Sequence, residues 1–153
     1  YPKILYGVAN INLQIAIQDE NIKRTDVIKE EERKVFVTEK DIELANEILT
    51  YMKEHKPYLD VDFSLHNLCA GINKPRHQIQ HCLTNVLHTN FIQLKNKLRI
   101  EYAIELLKSD TTKNTSIEGI GKQSGFKSNS NFYVCFKEIT GYKPNEWLGK
   151  NRL

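Results

Sequence analysis

Ser64-Leu65-His66-Asn67-Leu68-Cys69-Ala70-Gly71-Ile72-Asn73 and Ser116-Ile117-Glu118-Gly119-Ile120-Gly121-Lys122-Gln123-Ser124-Gly125 are two writings of one ten-residue plan. In each, a hydroxyl residue opens a two-turn helix with aliphatic side chains one and four places on, which is the spacing of a single helical face. A small residue, Cys69 or Gly121, follows the second aliphatic and lets another helix cross closely. Each block ends in Asn73 or Gly125, residue types that accept positive φ and so stop a helix in a sharp turn.

A second helix succeeds each turn. Pro75 predicts the first position of a helix over 75–87 with Ile79, Cys82, Leu83 and Val86 inward. Ser128 predicts the cap of its counterpart, which carries Phe132, Cys135, Phe136 and Ile139 inward and stops at Gly141. Between the two units, a long helix over 91–107 carries Leu94, Leu98, Ala103, Leu106 and Leu107, and Pro144 starts a last short helix with Trp147 and Leu148. Ahead of them, Thr38 and Asp41 resemble a reciprocal cap for a helix bearing Ile42, Ala45, Ile48, Leu49 and Met52, which Lys56-Pro57-Tyr58 breaks. The expected fold is all-α, with about seven helices and two helix-turn-helix units, 64–87 and 116–140, joined by the linking helix. Leu65, Leu68, Ile72, Ile79, Leu98, Ile117, Ile120, Phe126, Phe132, Phe136 and Trp147 are the expected core. A generic helical bundle competes with this reading on patterning alone.

Charge separates the two ends of the 153-residue chain. Through Asp62 there are 9 Lys/Arg against 13 Asp/Glu, net −4; from Phe63 onward there are 13 against 6, net +7. A basic C-terminal stretch is the footprint of a domain that faces a polyanion, although scattered solvated charge gives the same count. With 40% hydrophobic and 27% charged residues the composition is that of a soluble globular protein, and no apolar run approaches the length of a membrane span. Cys69, Cys82 and Cys135 are odd in number and lack close pairing, so they read as reduced core residues in a cytoplasmic protein. Residues 1–37 read as an arm or linker: Ile11, Leu13, Ile15 and Ile17 alternate like a short strand, and charge dominates 18–34. The chain starts at Tyr1 with no signal peptide, as an excised piece of a longer protein would. Residues 38–153 form the expected helical domain.

The stretch Gly125-Phe126-Lys127-Ser128-Asn129-Ser130-Asn131-Phe132-Tyr133-Val134-Cys135-Phe136-Lys137-Glu138-Ile139-Thr140-Gly141-Tyr142-Lys143-Pro144 resembles the signature of AraC/XylS-type transcription regulators. The shared elements are Gly-Phe, a Ser cap, Phe, Phe-Lys, and Gly followed by Pro. Leu98-Arg99-Ile100, Ala103 and Leu106-Leu107 of the linking helix resemble the same family, and the likeness spans about 60–148. Two positions depart from the pattern: Asn73 stands where Gly is usual, and Pro75-Arg76-His77 replaces a Ser-rich helix start. The resemblance implies a bacterial transcription factor whose two recognition helices enter successive major grooves of double-stranded DNA, about 34 Å apart. It also implies RNA polymerase as a partner, no cofactor, no small-molecule ligand in this region, and a sensing or dimerising part outside it. Tyr1-Pro2-Lys3-Ile4-Leu5-Tyr6-Gly7 resembles a juxtamembrane segment of membrane-anchored members, which implies the cytosolic end of a longer signalling protein.

On this reading the base-contact candidates are Arg76, His77, Gln80 and His81 in the first unit and Asn129, Ser130, Asn131 and Tyr133 in the second. Arg grips guanine bidentately, Gln and Asn do so for adenine, and Tyr packs on a thymine methyl or reaches phosphate. Plain capping and solvent contact are the bland alternative for Ser130 and Asn131, and half-buried packing for His81. Arg99, Lys127 and Lys137 are the phosphate candidates. His77 and His81, four apart on one helix, also fit a metal pair, but no neighbouring acidic ligand completes it. Two other functions compete: a helical protein-interaction module that has lost DNA binding, and a small metal-dependent enzyme, for which no phosphate loop, nucleophile elbow or carboxylate pair is present.

Overall fold

Thr38 and Asp41 close the expected reciprocal cap. The Thr38 backbone N–H and hydroxyl donate to the Asp41 carboxylate at 2.8 and 2.7 Å, and the Asp41 N–H returns to the Thr38 hydroxyl at 3.3 Å. From this point the computed structural model describes residues 36–109 and 114–151, so the readings made for 1–35 lie outside the described residues. Seven α-helices follow: α1 (Glu39–His55), α2 (Leu65–Ile72), α3 (Arg76–Asn85), α4 (Phe91–Lys108), α5 (Ile117–Gln123), α6 (Asn129–Thr140) and α7 (Pro144–Asn151). A 3₁₀ turn, Pro57–Leu59, follows α1, and no strand occurs among the described residues. The fold is all-α.

Each stop has a local cause. Lys56, ahead of Pro57, takes the left-handed conformation at φ 47° and ends α1. Asn73 ends α2 at φ 55°, ψ 46°, so the Asn in the usual place of Gly adopts the same turn. Gly125 at φ 89° turns the chain after α5, and Gly141 at φ 82° stops α6. Pro75 corrects the expected boundary by one residue. It is the extended cap of α3, at ψ 145°, rather than its first helical residue, and the helix ends earlier than expected, at Asn85.

Two cores form, one per unit, and α4 feeds both. Leu44, Ile48 and Met52 of α1, Leu68 and Ile72 of α2, Ile79, Cys82 and Leu83 of α3, and Leu94 of α4 make the first. Ile100 and Ala103 of α4, Ile120, Phe126, Phe132, Cys135, Phe136 and Trp147 make the second. A fully buried Leu, Ile or Phe contributes about 1.5–3 kcal/mol, and Ile48, Leu68, Ile79, Phe132 and Phe136 are all at 0% exposure. Leu65, Leu98 and Ile117 pack on these cores while partly exposed. Cys82 and Cys135 are buried and Cys69 is half-buried; all three are free thiols.

The close crossing expected in the second unit is present. A Cβ on Gly121 would sit 2.8 Å from Cδ1 of the buried Phe132 ring. Gly121→Ala is therefore expected to overpack this contact and destabilise the domain by about 1–3 kcal/mol. Gly149→Ala on α7, where nothing lies within 4 Å of the added carbon, is expected to be neutral or slightly stabilising. Thermal unfolding of the two variants checks the opposite signs; equal effects would mean that α5 and α6 do not meet at Gly121.

Candidate nucleic-acid interface

The second helices of the two units repeat one another. Ile79, Cys82 and Leu83 of α3 hold the inward places that Phe132, Cys135 and Phe136 hold on α6. Aligned on these residues, Arg76 corresponds to Asn129, His77 to Ser130, Gln80 to Tyr133 and Thr84 to Lys137. These side chains succeed one another along each helix at intervals of one, three and four, on the flank away from the core. Arg76, His77, Gln80 and Thr84 are exposed, as are Asn129, Ser130 and Lys137; Tyr133 is half-buried.

The fold does not bring every expected residue to that flank. His81 lies against α1: its Nε2 is 3.7 Å from Asp41 Oδ2, and its Nδ1 is 3.1 Å from the Asn85 side-chain nitrogen. The Thr38 hydrogen bonds, with a smaller pull from His81, hold the Asp41 carboxyl below its ordinary range. Asn131 accepts from the Cys135 thiol at 3.5 Å and matches Gln78, off the shared flank. His77 and His81 therefore serve different surroundings. Among the described residues no group of three or more His, Cys, Asp or Glu converges as a metal site.

Arg99 is the clear correction. Read as a phosphate contact, it is 4% exposed. Its Nε donates to the Tyr58 carbonyl at 2.6 Å and its Nη2 to the Asp60 carbonyl at 2.8 Å, and its guanidinium lies 5.6 Å from the centre of the Phe126 ring. Burial lowers its pKa, partly offset by Asp60. A guanidinium already committed to two carbonyls and a ring face in the interior has no path to a phosphate.

Lys127 and Lys137 remain exposed, and the structure adds a third lysine to them. Lys74 precedes Pro75, the cap of α3, just as Lys127 precedes Ser128, the cap of α6. Lys74 lines an open groove with His66, Asn73 and Pro75. Lys74 and Thr84 were missed by sequence reasoning, although aligning the two second helices on their inward residues finds both. The caps differ in kind. Ser128 accepts from the Asn131 N–H at 3.2 Å, whereas Pro75 offers no side-chain acceptor.

Tyr133 has a partner that the sequence did not suggest. Its hydroxyl donates to Glu118 Oε1 of α5 at 3.2 Å. Burial, then the Glu118 charge, raises the phenol above its ordinary pKa. Glu118→Gln is expected to lower it again, because the neutral amide no longer opposes the phenolate. An NMR pH titration of ring-labelled tyrosine reads the change; an unmoved midpoint would place the carboxylate away from the hydroxyl.

Two bihelical units of one design on a shared linking helix define a tandem helix-turn-helix domain. The chain belongs to the AraC-type helix-turn-helix family of transcription regulators: the family model described as "Helix-turn-helix domain" matches residues 68–150. Solved structures share the fold. The C-terminal domain of AraT, a response regulator from Geobacillus stearothermophilus, matches at 23% identity and a TM-score of 0.62, over 72% of this chain and 87% of that one. The DNA-binding domain of AdpA, a global transcriptional factor solved with a target DNA, matches at 20% identity and 0.59, over 71% and 92%. A DNA-binding transcriptional dual regulator from Escherichia coli K-12 matches at 18% identity and 0.59, over 71% and 97%. No curated protein matches the chain.

Proposed function

We propose that residues 38–153 bind double-stranded DNA sequence-specifically, with α3 and α6 as recognition helices in successive major grooves. The observation that carries this reading is the repeated polar flank: Arg76, His77, Gln80 and Thr84 on α3 against Asn129, Ser130, Tyr133 and Lys137 on α6. A flank exposed twice at the same helical places, within a domain whose basic excess lies C-terminal to Asp62, suits two equivalent encounters with one polyanion.

Within this reading Arg76 takes guanine O6 and N7, and Gln80 and Asn129 take adenine N6 and N7. His77, Ser130 and Tyr133 line the same groove edges. Lys74, Lys127 and Lys137 hold phosphates and set the register without reading sequence. His81 positions α3 through its contact with Asp41 of α1, while Asn131 takes the Cys135 thiol within α6 itself. Bound at a promoter, the domain recruits or blocks RNA polymerase, and residues 1–37 join it to whatever senses the signal. Its work is binding rather than catalysis, in the cytoplasm where the DNA is. No helix among the described residues is long and apolar enough to cross a membrane.

Arg76→Ala is expected to cost about 1–3 kcal/mol on DNA selected from a random pool and to relax one base position. Uniform weakening on all sequences would make Arg76 a phosphate contact instead. Lys137→Ala is expected to lower the slope of log K against log salt by about one while leaving the preferred sequence unchanged. Fluorescence titrations at several salt concentrations read both variants. Salt-insensitive binding, or none to any selected fragment, would favour the protein-interaction module.

A further inference from the structure

Arg99 stands where the two units meet, and its hydrogen-bond and ring partners come from both. On one side are the carbonyls of Tyr58 and Asp60, in and just after the 3₁₀ turn that ends the first unit's α1 segment. On the other is the Phe126 ring of the second core. Next to Phe126, Gly125 takes φ 89°, and a Cβ there would lie 2.6 Å from the Tyr58 carbonyl, 2.9 Å from Arg99 Nε and 3.0 Å from the Leu59 carbonyl. The turn that launches α6 is thus pressed directly onto the backbone of the first unit. Arg99 itself rides on α4 between Leu98, packed on the first core, and Ile100, buried in the second.

We propose that this junction is the ruler of the domain: Arg99 is a positioning residue that fixes the distance and rotation between α3 and α6. The planar guanidinium suits the task because its donors point in fixed directions and its face stacks on an aromatic ring. A helix joined to each unit by apolar packing alone could roll by a few degrees, whereas two charge-assisted bonds to one rigid turn resist rolling. On DNA, moving one subsite by a single base pair shifts it by about 3.4 Å and rotates it by about 34°. A stiff junction makes that shift costly and a loose one tolerates it. The DNA half of the argument rests on the proposed function, while the mechanical half does not.

The test has two arms on the 153-residue chain, using Arg99→Met, which removes the charge, and Arg99→Lys, which keeps it and loses the fork. In the first arm, spin labels at Gln80→Cys and Ser130→Cys, in a Cys69→Ala background, report the spread of distances between α3 and α6 without DNA. A narrow distribution with Arg99 present and a broadened one in the variants, at unchanged helix content, is expected. Equal widths overturn the proposal, and so does failure of both variants to fold, which would make Arg99 purely structural. In the second arm, DNA selected by the unaltered chain is re-made with one base pair added between the two subsites. The unaltered chain is expected to lose affinity about tenfold or more, and the variants, compared with their own binding to the original fragment, only a fewfold. Equal losses overturn the ruler. Absence of DNA binding by the unaltered chain would sink the proposed function and leave the first arm to judge the junction.

Discussion

Taking a guanidinium out of water costs several kcal/mol unless its donors are met inside the protein. Arg99 is almost wholly withdrawn, and two backbone carbonyls meet it. Hydrogen bonds to a charged group contribute about 1.5–3 kcal/mol each, so the arrangement holds only while the 3₁₀ turn and α4 keep their mutual placement. That requirement reaches in both directions. Toward the first unit it pins Pro57–Leu59, and with it the end of α1. Toward the second it sets the seat of Phe126 and forces Gly125, where a side chain would strike the Tyr58 carbonyl. The glycine at the second turn therefore answers two demands, a positive φ and a close approach, whereas Asn73 at the first turn answers only the conformational one.

Most of the fold was legible because the deciding signals are local. The repeated block, the caps at Thr38, Ser64, Ser116 and Ser128, and the stops at Asn73 and Gly141 depend on residues within a few positions of one another. Arg99 was illegible for the opposite reason. A basic residue on a long exposed-edged helix reads as surface, and only the fold brings carbonyls from some forty residues nearer the N-terminus to its side. His81 and Tyr133 have partners that were hidden for a related reason. Helical spacing locates the flank of α3 or α6 that a side chain leaves from, but not whether Asp41 or Glu118 waits there. Lys74 and Thr84 were within reach of the sequence, since their counterparts Lys127 and Lys137 stand out by charge; only the internal alignment of the second helices was needed to name them.

The two units share a frame and present different chemistry on it. On α3 the exposed flank carries Arg76, His77 and Gln80, and the cap residue leaves the first amides without a side-chain acceptor. On α6 the flank carries the short Asn129 and Ser130, the Asn131 amide is met by Ser128, and Tyr133 is tied to Glu118. Holding a long side chain in one rotamer costs about 0.5–1.5 kcal/mol on binding. Short or tethered groups have spent much of that during folding. Under the proposed function, α6 meets DNA largely in its final form, while α3 adapts its long side chains and its uncapped amides to what it finds. Such a division needs a fixed separation between the adaptable half and the preset half, because an adjustable side chain cannot also make up for a drifting frame. The buried arginine between the units is the element of the structure that holds that separation.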